Sequence, residues 1–226
     1  MNPVTDARDL IDERFPDARW ALLGGGVLGA QRTATSDLDI VVMLGHPPAP
    51  YRESLRWRGW PVELFVNDEE SLRWYFEADL AARKPSLARM CATSTVLVDR
   101  DGTAESYRAE GARRVAAGPG PLPAQDLAYL RYGLADLLDD LAGAADPGER
   151  AFIAWSLAVA TGELVLALHE HWVGKSKWLL RELRAADPDL AARLVAALPD
   201  PDAVAALAAE IQERAGGRLW EGFRAD

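Results

Sequence analysis

The chain is short of cysteine, histidine and positive charge, and each shortage excludes something. Its 226 residues contain one cysteine, Cys91, which rules out an internal disulfide framework and a cysteine-built zinc cluster. Three histidines, His46, His169 and His171, are too few for a histidine-rich metal site. His169 and His171 stand two positions apart, a spacing that does not share a helix face, so they are not read as a metal pair. Lys and Arg total 25 against 35 Asp and Glu, giving a net charge of −10 and an isoelectric point near 4.9. A nonspecific duplex binder needs a basic face, so nucleic acid is not the expected partner. No unbroken apolar run reaches the ~18 residues of a membrane span. The amino-terminal stretch MNPVTDARDLIDERF is polar and acidic, unlike a signal peptide. The expectation is a soluble cytoplasmic protein with no membrane partner; its oligomeric state is not specified by the sequence.

What is present suits a globular chain of one large or two small domains. Hydrophobic residues make up 49% and charged residues 27%, and a chain of this size can bury roughly 70–75% of its unfolded surface. The two halves differ in pattern. Val4, Ala7, Leu10, Ile11 and Phe15 recur at helical spacing before Pro16. Arg19–Leu23 reads as a buried strand entering the Gly24-Gly25-Gly26 turn, and a short stretch with helical character follows. Asp37–Met43 reads as a second strand, rich in β-branched residues, ended by Gly45 and Pro47-Pro48. Tyr51–Trp57 and Pro61–Val66 read as two strands around an Arg58-Gly59 turn. Asp68–Ala82 reads as a helix with acids in its first turn, and Thr95–Asp99 as a last strand. Residues 117–123 (AGPGPLP) are rich in helix breakers and form a candidate linker. Beyond it strand signals nearly vanish. Asp126–Ala144, Gly148–Trp172, Lys177–Ala186, Ala191–Leu198 and Asp202–Ala215 read as helices, with Pro147, Pro188 and Pro201 near helix starts. The fold class is α+β: a mixed sheet with flanking helices over 1–117, then an α-helical bundle over 124–226.

The chemistry concentrates between positions 24 and 63. Asp37 and Asp39, at i and i+2 on a strand, point to one face with Cα atoms about 6.5–7 Å apart. Their oxygens can converge on a hard cation such as magnesium, which binds one or two carboxylates and completes its octahedron with water and phosphate oxygens. Glu63 lies in the otherwise apolar run Val62–Val66, where a carboxylate is costly to bury unless paired or metal-bound. The glycine turn offers backbone amides to a phosphate, helped by the start of a following helix. An Asp-x-Asp pair alone is common at exposed strand ends; the ordered set of turn, pair and third acid is far more specific.

At these residues the sequence resembles the nucleotidyltransferase superfamily, whose signature is a Gly-Ser or Gly-Gly turn, an Asp-x-Asp strand and a third acid on a neighbouring strand. The matching residues are Gly24-Gly25-Gly26, Ser36-Asp37-Leu38-Asp39 and Glu63. The helical half resembles, more loosely, the companion domain of small-molecule adenylyltransferases that modify aminoglycosides, most of all at Trp172–Trp178. The resemblance implies transfer of a nucleoside monophosphate from ATP or another nucleoside triphosphate to a small-molecule hydroxyl, with release of pyrophosphate. Asp37, Asp39 and Glu63 would be catalytic residues and ligands of Mg2+, with Glu63 either a ligand or the general base. Gly25, Gly26, Ser36, Lys175 and Lys177 would meet the nucleotide. One departure stands out: Gly26 occupies the position where many members carry serine, so a phosphate-binding hydroxyl is missing. A cationic aminosugar is one acceptor that an acidic site would attract.

In the helical half, Ser156, Glu163 and Glu170 recur every seven residues along an apolar helix. As a stripe facing a cleft, Glu163 and Glu170 would bind a cationic substrate, with Glu163 an alternative base; as a solvated face they would do neither. Lys175 and Lys177 fit either a triphosphate or the negative end of a helix. Trp172 and Trp178 fit either stacking on substrate or core packing, and Cys91 reads as a small buried hydrophobe. Two other functions stay open: a protein-modifying, antitoxin-type nucleotidyltransferase and a catalytically silent nucleotide binder.

Overall fold

The computed structural model describes residues 2–29 and 32–224. Its chain divides into two compact units, Met1–Ala117 and Gly118–Asp226.

The first unit opens with α1 (Pro3–Arg14), whose first amides are capped by the Asn2 side chain and whose first position is proline. Five strands follow in chain order: β1 (Trp20–Gly24), β2 (Leu38–Met43), β3 (Tyr51–Trp57), β4 (Trp60–Asn67) and β5 (Thr95–Asp99). They form one sheet of order β3-β4-β2-β1-β5, in which β2 and β4 run parallel and the other neighbours antiparallel. All five residues of β1 are buried, as expected for a central strand covered on both faces. Three helices complete the unit: α2 (Glu69–Ala81), α3 (Ser86–Ala92) and α4 (Ala104–Ala117).

Strand alternation sorts the sheet into two cores. Ile40, Val42, Val62 and Leu64 face one way and join Ala7, Leu10 and Ile11 of α1. Trp20, Leu22, Val41 and Met43 face the other way and join Leu72, Phe76, Leu87 and Cys91 from α2 and α3. Asp37, Asp39 and Glu63 alternate with the α1-facing residues, so they stand on the second face. Cys91 is fully buried there, as its sequence context suggests, and burial pushes its thiol up to about 12.

The helices α3 and α4 have no counterpart in the sequence reading. They meet through small residues: a Cβ on Gly111 would lie 2.5 Å from the Ala88 carbonyl oxygen. Backbones that approach so closely need glycine and alanine at the contact, and such residues leave no large apolar periodicity to read.

The second unit holds α5 (Ala124–Gly143), α6 (Pro147–Leu168), α7 (Lys177–Ala186), α8 (Pro188–Ala197) and α9 (Pro201–Arg214). Three of its helices start at an Asp-Pro step. Asp146, Asp187 and Asp200 each accept a backbone N–H from the first turn, and proline follows where its missing donor is harmless. Each aspartate cap contributes on the order of 1 kcal/mol. Over its most apolar 18 residues α6 has a mean hydropathy of 1.9, long and apolar enough by composition alone to cross a bilayer. An unbroken-run criterion misses this because Ser156, Thr161 and Glu163 interrupt the run. In the folded unit Leu157, Leu164, Val165 and Leu166 join a core shared with α5, α7, α8 and α9, which accounts for one side of the helix only, since Phe152 and Trp155 are exposed.

Helix α6 ends at Leu168, four residues before the expected Trp172. His169 is the cap, and Glu170 adopts φ 50°, a left-handed conformation that stops the helix. Gly174 then lies against the first turn of α7, where a Cβ would come within 2.3 Å of the Trp178 carbonyl carbon. The segment 169–176 is therefore a tight reversal.

Candidate active site

The turn after β1 is shaped around one carboxylate. Gly25 has φ 79° and ψ −179°, backbone that L side chains avoid. A Cβ built on it would stand 2.2 Å from Asp39 Oδ2. Both facts require glycine here. The register explains the proximity, because Gly24 pairs with Asp39 across the β1–β2 ladder. The next residue differs: a Cβ on Gly26 would meet nothing within 4 Å, so the backbone there has room for a side chain. The expected helix start after the turn is only one 3-10 turn, Gly26–Leu28. Its aligned peptide dipole is too short to matter, and any attraction for phosphate must come from individual backbone amides.

The three acids converge. Asp37 immediately precedes β2, Asp39 is its second residue, and Glu63 pairs with Asp39 in the parallel β2–β4 ladder. One carboxylate oxygen from each lies within 4.8 Å of the others, and all three residues are half-buried. Two oxygens on opposite sides of a magnesium ion are about 4 Å apart, from metal–oxygen distances of about 2.0–2.1 Å. All-carboxylate hard donors at this separation fit a divalent cation after small side-chain adjustment. Without one, three like charges so close oppose each other.

A fourth charge belongs to the cluster, and sequence reasoning missed it. Arg52 on β3 donates from Nη2 to Glu63 Oε2 at 2.5 Å, and its guanidinium lies 4.7 Å from the centre of the Phe65 ring. The side chain is 60% exposed, so solvent reaches it from one side. A signal for it existed. Arg58 and Gly59 both adopt positive φ, 48° and 86°, the pattern of a tight type I′ hairpin turn. That turn pairs Trp57 with Trp60 and so brings Ser54 opposite Glu63 and Arg52 opposite Phe65, with Arg52 diagonal to Glu63 on the same face.

Ser36 lies in the turn before β2, and its Oγ accepts the Thr33 amide at 2.9 Å. Its hydroxyl shapes the turn that delivers Asp37. An open cavity of about 460 Å³ lies beside it, with Arg32, Thr33, Trp60 and Pro61 among its walls. It adjoins the first residues of β4, and its wall residue Trp60 belongs to the α1-side core, the face opposite the acids.

The candidates in the helical unit fall differently from the expected stripe. Ser156 is exposed and its hydroxyl donates to the Phe152 carbonyl of its own helix at 3.0 Å. Glu163 is half-buried on α6. Glu170 is past the end of α6 and exposed, so the seven-residue repeat breaks because the helix does. Trp172 is only 5% exposed. Lys175 and Lys177 are exposed, one in the loop and the other opening α7. Neither caps a helix C-terminus, and the positive end of the α7 dipole lies at Lys177, so dipole compensation does not explain this pair. His171 faces Glu182 at 3.4 Å and His169 faces Asp187 at 3.7 Å, both past the end of α6 and each with its own acid.

No protein-family model matches the chain, and no curated protein matches it. Among solved structures it is similar to a nucleotidyltransferase-like protein from Exiguobacterium sibiricum 255-15, with a TM-score of 0.49 and 10% identity. That match covers 94% of this chain and 75% of the other. At such identity no residue role is carried across.

Proposed function

We propose that the chain is a divalent-metal-dependent nucleotidyltransferase that moves a nucleoside monophosphate from a nucleoside triphosphate, in the first instance ATP, to a hydroxyl of a small molecule. The observation that carries this reading is the convergence of Asp37, Asp39 and Glu63 within 4.8 Å beside a turn that only glycine can make. In this reading the acceptor oxygen forms a bond to the α-phosphorus, the bond between that phosphorus and the bridging oxygen breaks, and pyrophosphate leaves. The hydroxyl proton passes to a carboxylate. Asp37 and Asp39 would hold the cation, and Glu63, from the neighbouring strand, would either complete the ligand set or take the proton. Bound divalent cations would stabilise the charge that builds on the attacking and leaving oxygens. Gly25 keeps the backbone beside Asp39 free of a side chain, and Gly26 leaves open space for a phosphate to approach. A cationic aminosugar is the acceptor class we favour, because the site concentrates negative charge.

The test is incubation of the full chain with Mg2+, ATP labelled at the α-phosphate and a panel of aminoglycosides and other small alcohols. The reading expects label on an acceptor together with stoichiometric pyrophosphate. Label on the protein or on an added protein would move the assignment to a protein-modifying enzyme. A thermal shift by ATP that ignores Mg2+, with no product, would leave a silent nucleotide binder, the reading that the absent serine at position 26 favours.

A further inference from the structure

The ion pair between Arg52 and Glu63 has a consequence for the order in which the site fills. We infer that Arg52 is a positioning residue that couples the two ligands of the proposed reaction: it opposes the binding of a divalent cation alone and favours it once a polyphosphate is present. The inference rests on the nucleotidyltransferase reading and names how its site is regulated.

Asp37, Asp39 and Glu63 bring three negative charges to within 4.8 Å, and Arg52 returns one positive charge by bonding Glu63 Oε2. A cation entering among the three acids must take a Glu63 oxygen while the guanidinium holds the same carboxylate. It therefore sits next to a fixed positive charge in a half-buried setting, where repulsion is stronger than in bulk water. A polyphosphate reverses the sign of that effect, because its oxygens give the guanidinium an anionic partner of their own. Arginine suits such an exchange: its planar group offers several N–H donors at fixed angles, so it can keep one bond to a carboxylate while donating to phosphate. The guanidinium carbon lies over the Phe65 ring, 4.7 Å from its centre, on the sheet face that carries the acids, and its 60% exposure leaves it open to an incoming ligand.

A diagonal cross-strand pair that merely steadies the β3–β4 hairpin is the competing account, and it makes a different forecast. The experiment is calorimetric titration of the full chain with Mn2+, alone and again with a saturating non-hydrolysable ATP analogue, for wild type, Arg52→Gln, Arg52→Lys and Asp39→Asn. The inference expects Arg52→Gln to bind Mn2+ alone about tenfold more tightly than wild type, a size typical of coupling between two sites. It expects the same variant to lose most of the gain in Mn2+ affinity that the analogue gives wild type. Arg52→Lys, which keeps the charge, should stay close to wild type for Mn2+ alone. Unchanged or weaker Mn2+ binding by Arg52→Gln, with only a lowered melting temperature, overturns the inference and leaves a structural pair. Wild type that binds no Mn2+ under either condition overturns the underlying reading, and this inference with it. Asp39→Asn, expected to bind Mn2+ poorly in both titrations, assigns the signal to the acids.

Discussion

Gly25 and Asp39 fit together so closely that a single added carbon would collide: a Cβ at position 25 would stand 2.2 Å from Asp39 Oδ2. The turn and the carboxylate are thus one structural unit, joined through the Gly24–Asp39 register. Gly25→Ala should displace the carboxylate and also force φ 79°, ψ −179° on a residue with a Cβ, costing about 1–3 kcal/mol. Thermal denaturation and Mn2+ titration check both effects. The neighbouring glycine should behave in the opposite way. Gly26→Ser enters open space, so the melting temperature should hold, and the restored hydroxyl should lower the apparent KM for the nucleotide severalfold.

Crowded like charges predict a trade between stability and function. Asp37→Asn removes one of three charges that oppose each other in the metal-free protein. Its melting temperature without metal should equal or exceed that of wild type. Added Mg2+ should raise the melting temperature of wild type and leave that of the variant nearly unmoved, since only a native-state ligand stabilises.

Asp79 links pH to stability away from the site. It accepts the backbone amides of Leu87 and Ala88, at 2.7 and 3.1 Å, and so caps α3, whose preceding residue, Pro85, supplies no side-chain cap. Burial, outweighing those amides, holds its carboxyl above the usual carboxylate range. The native state therefore binds more protons than the unfolded chain in that window, and stability falls as pH rises through it. Asp79→Asn keeps an acceptor oxygen and loses the ionisation. Its stability relative to wild type should increase as pH rises from about 4 and level off once the native carboxyl is ionised. Asp79→Ala loses the acceptor and should be about 1 kcal/mol less stable. Denaturant melts at several pH values measure both.

Much of this architecture was legible because single residues announce it. The hairpin is written in Arg58-Gly59 and the alternation on either side, and β2 in the run Ile40-Val41-Val42. Asp146, Asp187 and Asp200, each before a proline, mark three helix starts. The rest escaped for physical reasons. Helix α4 fully buries only the small residues Ala104 and Gly111, with Tyr107 and Val115 half-buried beside them, so its apolar stripe is thin and broken by charged residues. Helix α6 stops at Leu168 because Glu170 turns left-handed, a choice no propensity forecasts for glutamate. At the site, Asp37, Asp39 and Glu63 could be picked out as a set, since acids in apolar strands are conspicuous. Arg52 escaped although the Arg58-Gly59 turn fixes the register, because an arginine on an edge strand is ordinary until that register is followed to the carboxylate it meets.

The account turns on whether three carboxylates share a cation, and that can be observed directly. Crystals grown with Mn2+ and a non-hydrolysable ATP analogue would be measured for anomalous scattering. A peak within coordination distance of one oxygen each from Asp37, Asp39 and Glu63, touching the phosphates on its other side, is the predicted result. Density for the analogue elsewhere, with no anomalous peak among the three acids, would contradict it.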